Sequence, residues 1–323
     1  MNRFGGVVNT TRIGVAAMGG DPMSVIKRIE TLESKGIGTA WLTTGGGGFD
    51  ALALFAAAGL QTKSICFGTS IIPTWSRHPV VTAQQVQVIA GIAPDRLRLG
   101  FGPSHKSIVE DGFGYEFKSP LTNLREYIYI VRSLLEDGAI DFDGKSYTAH
   151  IRIPRPIRGV PILASALRRT SFELCGAETD GAISWVCPYP YLRDVALPAI
   201  KEGARKAGRM TPPLIAHVPV SVHEDRDEVW SVARLKLQNY PKLPFYARMF
   251  ADAGYPGALK NAIWDDQMLE SVVISGIEKE VASSIERLFE WGVSEVVAHI
   301  LAVGQDKLES WNRTLDLLTT LNR

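Results

Sequence analysis

Five short clusters place reactive or hydrogen-bonding side chains directly after runs of β-branched and apolar residues. They are Thr43-Thr44-Gly45-Gly46-Gly47-Gly48, Ser70-Ile71-Ile72-Pro73-Thr74-Trp75-Ser76-Arg77-His78-Pro79, Gly102-Pro103-Ser104-His105-Lys106, Ala164-Ser165-Ala166-Leu167-Arg168-Arg169 and Trp185-Val186-Cys187-Pro188-Tyr189. Hydroxyls such as that of Thr43, small residues with accessible backbone N–H groups, one imidazole, two adjacent guanidiniums and several aromatic rings suit a planar ring carrying a phosphate tail. Flat apolar walls take the ring, and backbone donors and cations take the anion. Trp75, Trp185 and Tyr189 are the candidate walls of a substrate pocket.

Several of these residues have a second reading. His105 is placed for a general acid or a hydrogen-bond donor to substrate, and equally for a loop histidine bonded to backbone. Arg168 and Arg169 open a helix, where backbone N–H groups and the helix dipole favour an anion; each is also an ordinary solvated charge. The four glycines at 45–48 offer a phosphate cradle or a plain loop, and no Gly-Lys-Ser/Thr follows to make a P-loop. Trp75 and Trp185 either wall a ring or fill core, and Trp41 reads as core. His78 precedes Pro79, which suits the first turn of a helix, and reads as structural.

Other chemistries lack a carrier. No His/Asp/Glu cluster has metal-ligand spacing and no Gly-x-Ser-x-Gly elbow occurs. The net charge is +1 and no run of five basic residues exists, which implies neither a nucleic-acid nor a membrane partner. Three cysteines, Cys66, Cys175 and Cys187, read as reduced thiols of a cytoplasmic protein. The first 25 residues carry no signal pattern, and the apolar run 51–60 is too short for a membrane span and reads as a buried helix.

Clusters of this kind need strands that end together. Eight strands are expected: Ile13–Ala17, Thr39–Thr43, Ile65–Ile71, Leu97–Gly102, Val160–Ala164, Gly181–Val186, Leu214–Val222 and Glu295–Ile300. Helical spacing follows or precedes them at Met23–Lys35, Pro79–Ala90, Leu121–Leu135, Thr170–Ala177, Tyr191–Ala207, Arg226–Asn239, Ile277–Trp291 and Lys307–Leu321. The alternation predicts a (β/α)8 TIM barrel with its chemistry at the C-terminal strand ends. A barrel needs roughly 250 residues, so the chain reads as one domain over 1–323 with insertions at 137–158 and 241–273. The first looks like a hairpin turning at Asp143-Gly144. The second is rich in Pro, Gly and aromatics and reads as a partly helical lid.

The segments GTSIIPTWSRHPVVTAQQ and APDRLRLGFGPSHK together resemble the luciferase-like monooxygenase superfamily, and within it the coenzyme F420-dependent oxidoreductase branch. Residues 124–148, 160–167 and 177–185 extend the likeness, which runs from about Ile13 to Ile300. The resemblance implies a bacterial-luciferase-like barrel binding a flavin or 5-deazaflavin at the strand C-termini. It implies a non-proline cis peptide at Ser70–Ile71 behind the ring, and Gly102, Pro103, Ser104 and His105 along the cofactor. It further implies backbone donors to the phosphate from Ala164, Ser165 and Ala166. Relatives often carry Gly-Pro where this chain has Arg168-Arg169, so either the loop is reshaped or the arginines replace backbone donors. The Gly45–Gly48 run has no counterpart.

The expected activity is hydride transfer between coenzyme F420 and a small organic substrate, with His105 as proton donor. The alternatives are a monooxygenase using reduced FMN and oxygen, and a non-catalytic flavin-binding barrel. The resemblance also implies a homodimer.

Overall fold

The computed structural model describes residues 12–45 and 47–322. Gly46, within the glycine run, lies outside the described residues, as do residues 1–11 of the segment searched for a signal pattern. The strands are β1 (Ile13–Ala16), β2 (Thr39–Leu42), β3 (Cys66–Thr69), β4 (Ile72–Pro73), β5 (Leu97–Gly102), β6 (Ala139–Asp143), β7 (Thr148–Arg152), β8 (Ile162–Ser165), β9 (Ala182–Trp185), β10 (Leu214–Val222), β11 (Ile274–Gly276) and β12 (Glu295–Ile300). Of these, β1, β2, β3, β5, β8, β9, β10 and β12 are the parallel strands of a (β/α)8 barrel. They are the eight expected strands, with ends moved by up to two residues. The run expected to continue to Ile71 stops at Thr69, and Ile72–Pro73 is a separate short strand paired with β5.

The chain divides into two compact units, 17–165 and 166–322 together with the β1 segment. In the first, β2, β3, β5 and β8 lie side by side, with Trp41 opposite Gly68 and Phe101 opposite Ala164. Three of its helices begin where polar side chains satisfy the first free N–H groups. Asp21 caps Pro22–Ser34, Asp50 caps Ala51–Gln61, and His78 accepts the Val80 N–H at the start of Pro79–Ile92. The apolar face of that last helix buries Ala83, Val86 and Ile89. Trp41 is fully buried, as its core reading requires, and Phe55 stacks on Phe67 at 4.8 Å. Each such ring contributes about 1.5–3 kcal/mol by leaving water.

The β6–β7 hairpin differs from expectation at its turn. Asp143 pairs with Thr148, so four residues connect the strands rather than a two-residue Asp143-Gly144 turn. The cause lies on the preceding helix, Pro120–Asp137: the Glu126 carboxylate accepts the N–H groups of Lys145, Ser146 and Tyr147 and holds the wider loop open.

In the second unit β9, β10, β12 and β1 are neighbours, with His217 opposite both Trp185 and Val297. The helices Arg169–Glu178 and Leu197–Lys206 pack backbone to backbone, because a Cβ at Gly176 would collide with the Ile200 carbonyl. The single helix expected over 191–207 is interrupted by a wide turn at Leu192–Ala196. Pro198 has no N–H to return to the carbonyl four residues back, so the chain relaxes into wider spacing there. Residues 241–273 hold the short helices Pro244–Asp252, Ala258–Asn261 and Asp266–Val272. Phe250 and Trp264 pack at 5.1 Å, and the Trp264 indole donates to the Leu237 carbonyl.

Candidate functional site

In the first unit the strand ends build a small platform. The Thr43 hydroxyl donates to the Ser70 carbonyl at 2.7 Å, and the Thr44 N–H donates to the Ile71 carbonyl at 3.1 Å. The Ser70 N–H in turn reaches the Leu42 carbonyl at 2.7 Å. The end of β2 thus grips Ser70 and Ile71 from one side, and the peptide between them is cis, as expected. On the other side Thr69 and Gly100 bond reciprocally through the threonine hydroxyl. Gly102 is glycine for a steric reason. A Cβ there would collide with Ser165 Oγ and stand 3.0 Å from Ile71 Cγ1. Thr43, Ser70, Ile71, Gly102 and Ser165 are therefore one group, drawn from β2, β3, β5 and β8. The buried Ser70 hydroxyl has no partner.

The loop after β5 turns sharply. Ser104 takes a left-handed backbone (φ 60°), which an L residue adopts only when its surroundings demand it. Pro103 precedes it, and the His105 carbonyl then opens a helical turn by accepting the Val109 N–H. His105 is half-buried, and burial pushes its pKa below the ordinary histidine value. Its resting form at neutral pH is the uncharged imidazole, with one donor and one acceptor nitrogen.

The segment after β4 is held by polar bonds. The Thr74 hydroxyl donates to Asn123 Oδ1, Asn123 donates to the Tyr147 hydroxyl, and Tyr147 closes the ring onto the Thr74 carbonyl. Burial pushes the Tyr147 hydroxyl up to about 12, so it stays a donor. Arg77 pairs with Asp50 and donates to Gln85. Trp75 lies 5.8 Å from the Phe117 ring and keeps a buried indole N–H without a partner. His78 also bonds the Thr148 carbonyl, in keeping with its structural reading.

At the end of β8 the backbone donors are largely spent. The Ala166 N–H goes to the Ile183 carbonyl, and those of Leu167 and Arg168 both go to Ser171 Oγ. The two arginines diverge. Arg169 is 71% exposed and pairs with Glu173 along its own helix. Arg168 reaches Asp252 at 3.4 Å, and its Nε is buried without a partner. Trp185 and Tyr189 separate as well. The Trp185 ring packs on His217 at 4.4 Å and on His299 at 5.4 Å, with Tyr240 at 6.0 Å. The Tyr189 hydroxyl is buried and unpartnered in a cavity whose lining does not include Trp185.

Sequence reasoning passed over His217 and His299. His217 Nε2 is buried without a partner, and burial drives its pKa well below the ordinary value; His299 is pushed down to about 4, also by burial. Both rings are neutral. The available signals were a lone imidazole inside the wholly buried LIAHVPVSV run and another at the end of the last strand, where the clusters after the earlier strands had been sought. Among the described residues no three potential ligands group to hold a metal, and no helix is long and apolar enough to cross a membrane.

Comparison with known proteins adds an independent line. A family model described as luciferase-like monooxygenase matches residues 3–295. The chain is 25% identical over 320 residues to a 5,10-methylenetetrahydromethanopterin reductase of Methanopyrus kandleri, covering 88% of this chain and 91% of that protein. It is 28% identical over 302 residues to an F420-dependent glucose-6-phosphate dehydrogenase of Nocardia farcinica, covering 86% and 83%. Its fold is similar to that of an F420-dependent secondary alcohol dehydrogenase solved with an F420-acetone adduct (TM-score 0.78, 20% identity, 96% and 98% covered). It is similar also to the FMN-bound oxygenating constituent of 3,6-diketocamphane monooxygenase from Pseudomonas putida (TM-score 0.74, 18% identity, 97% and 98% covered).

Proposed function

Because the chain belongs to the luciferase-like monooxygenase family, we propose that it is an F420-dependent oxidoreductase acting by hydride transfer on a small organic molecule. The observation that carries this reading is the platform made by Ser70, Ile71, Gly102 and Ser165. It fits a flat heterocycle: Ile71 and Ser165 close over the bare Gly102 backbone, and the buried Ser70 hydroxyl has a hydrogen bond to give or take. The similarity to an F420-dependent glucose-6-phosphate dehydrogenase favours the deazaflavin over FMN. A 5-deazaflavin held there supplies two-electron hydride chemistry and does not readily activate oxygen.

The chain's own residues do the rest. Thr43 fixes the Ser70 carbonyl, and Pro103 and Ser104 aim the loop that carries His105. Neutral His105 takes the hydroxyl proton of an alcohol on an imidazole nitrogen as the alcohol is oxidised; in the reverse direction the imidazolium returns that proton to the substrate oxygen. Trp75, with its buried and unpartnered indole N–H, is a wall of the substrate pocket. Ala164 and Ala166 line their strand end, and Arg168, with its unspent buried N–H, takes an anionic group in preference to Arg169. The match from 3 to 295 supports one domain over 1–323. Three free thiols support a cytoplasmic setting, and a homodimer completes the proposal.

Parallel fluorescence titrations of the purified protein with F420 and with FMN test the reading. Saturable binding of F420, with anaerobic reduction of F420 by candidate alcohols, is the expected result. Binding of FMN alone, or oxygen-dependent turnover, overturns it.

A further inference from the structure

The second unit holds a cavity of about 190 Å3 between the helices Arg226–Lys236 and Glu278–Glu290, bounded by Tyr189 and the segment 270–275. Its inner wall is apolar: Val273, Ile274 and Leu288 are all buried. Two polar atoms interrupt that wall, the Tyr189 hydroxyl and the Trp230 indole N–H. Both are buried and neither has a partner. An indole N–H can only donate. The faces of the Trp230 ring are engaged by Arg226 and Arg234, whose guanidiniums lie 5.8 and 6.0 Å from its centre. The free valence of this tryptophan is therefore its N–H alone.

Charge points the same way. Arg226 pairs with Glu270 at 3.4 Å, whereas Arg287 lines the cavity with no ion pair among the described residues. Two guanidiniums and one carboxylate leave the cavity one positive charge in surplus. Ser275 and Ser284 add hydroxyls, and Trp291 adds a third aromatic wall beside Tyr189 and Trp230. The group that satisfies the donor-only indole N–H and a single surplus cation accepts hydrogen bonds and carries one negative charge. The volume equals that of roughly six waters, enough for one ring with a carboxylate and too little for a dinucleotide or a tricyclic cofactor. We propose that this cavity is a ligand site for a small planar monocarboxylate, independent of the reaction proposed above.

Benzoate is the probe. Isothermal titration and saturation-transfer NMR on the full-length protein should show one saturable site, with the neutral isostere benzamide bound at least roughly tenfold more weakly. Trp230→Phe keeps an aromatic wall and removes the indole N–H, and should weaken benzoate roughly threefold to tenfold. Arg287→Gln alters an exposed residue that leaves the fold intact, and should weaken it by at least roughly tenfold. Equal affinity for benzamide, affinity unchanged in both variants, or no saturable binding of benzoate up to its solubility limit overturns the proposal.

Discussion

The hydroxyl of Thr43 donates to the carbonyl of Ser70 across 2.7 Å, tying the end of one barrel strand to the turn that follows the next. Two residues 27 positions apart thereby set the height of the platform between β2 and β5. Thr43→Val keeps the shape and removes the donor. It should cost about 1 kcal/mol of stability and weaken F420 binding more than it lowers turnover of the bound enzyme. Thermal melting and a fluorescence titration measure the two effects separately.

Gly102 and Ser165 form a coupled pair. Gly102→Ala puts a methyl into the Ser165 hydroxyl and against Ile71, and should destabilise by about 1–3 kcal/mol. Ser165→Gly removes the colliding atom, so the double variant should recover part of that loss. A double-mutant cycle by urea denaturation reports the coupling; strictly additive effects would show that the close approach is not what requires glycine.

His105 is the proposed proton-moving group. His105→Ala should lower turnover by about two to four orders of magnitude, with cofactor affinity changed less than roughly threefold. Losses of equal size in both would reduce His105 to a binding residue. Burial depresses its pKa, so the neutral base persists below the ordinary histidine range. The acid limb of kcat/KM for alcohol oxidation should accordingly lie below pH 6.5.

Arg168 and Arg169 should separate cleanly. Arg168 keeps a buried Nε without a partner, whereas Arg169 is spent on Glu173. Arg168→Ala should weaken cofactor binding by at least roughly tenfold, and Arg169→Ala should leave it unchanged. Comparable losses from the two variants would return the pair to a single electrostatic patch.

The buried imidazole of His217 and the half-buried one of His299, both with lowered pKa, predict an acid-sensitive fold. A histidine whose folded pKa lies below its unfolded value stabilises the fold above the unfolded pKa, and that stability drains away as pH falls towards the folded pKa. For His299 the window runs from about 6.5 down to about 4; for His217 the shift has the same direction and the same sign of effect. His299→Gln should flatten stability against pH in that window, as followed by urea midpoints. An unaltered slope would mean that the ring is already hydrated.

Much of the architecture was legible in local pattern. Eight β-branched runs alternating with helical spacing implied the barrel, because strand and helix periods are written into neighbouring residues. The platform residues Thr43, Ser70, Ile71, Gly102 and Ser165 were legible by position, since each falls at a strand end. The hairpin turn was misread because Asp143-Gly144 is a sound local signal overruled by Glu126, 17 residues upstream, whose carboxylate takes three backbone donors. The continuous helix over 191–207 was misread for the opposite reason: Pro198 breaks the bonding pattern within an otherwise sound periodicity.

The amino-acid order alone determined the barrel, the family likeness and which residues could stand at the strand ends, because those depend on short-range periodicity and on motifs. Tertiary structure decided how the candidates are used. It assigned Arg168 and Arg169 to different partners, sent Trp185 and Tyr189 to different surroundings, and turned two overlooked histidines into neutral rings packed on Trp185. Each of those outcomes depends on which distant group lies within hydrogen-bond or ring-contact reach and on how much water is excluded, and neither quantity is a property of neighbouring residues in the chain.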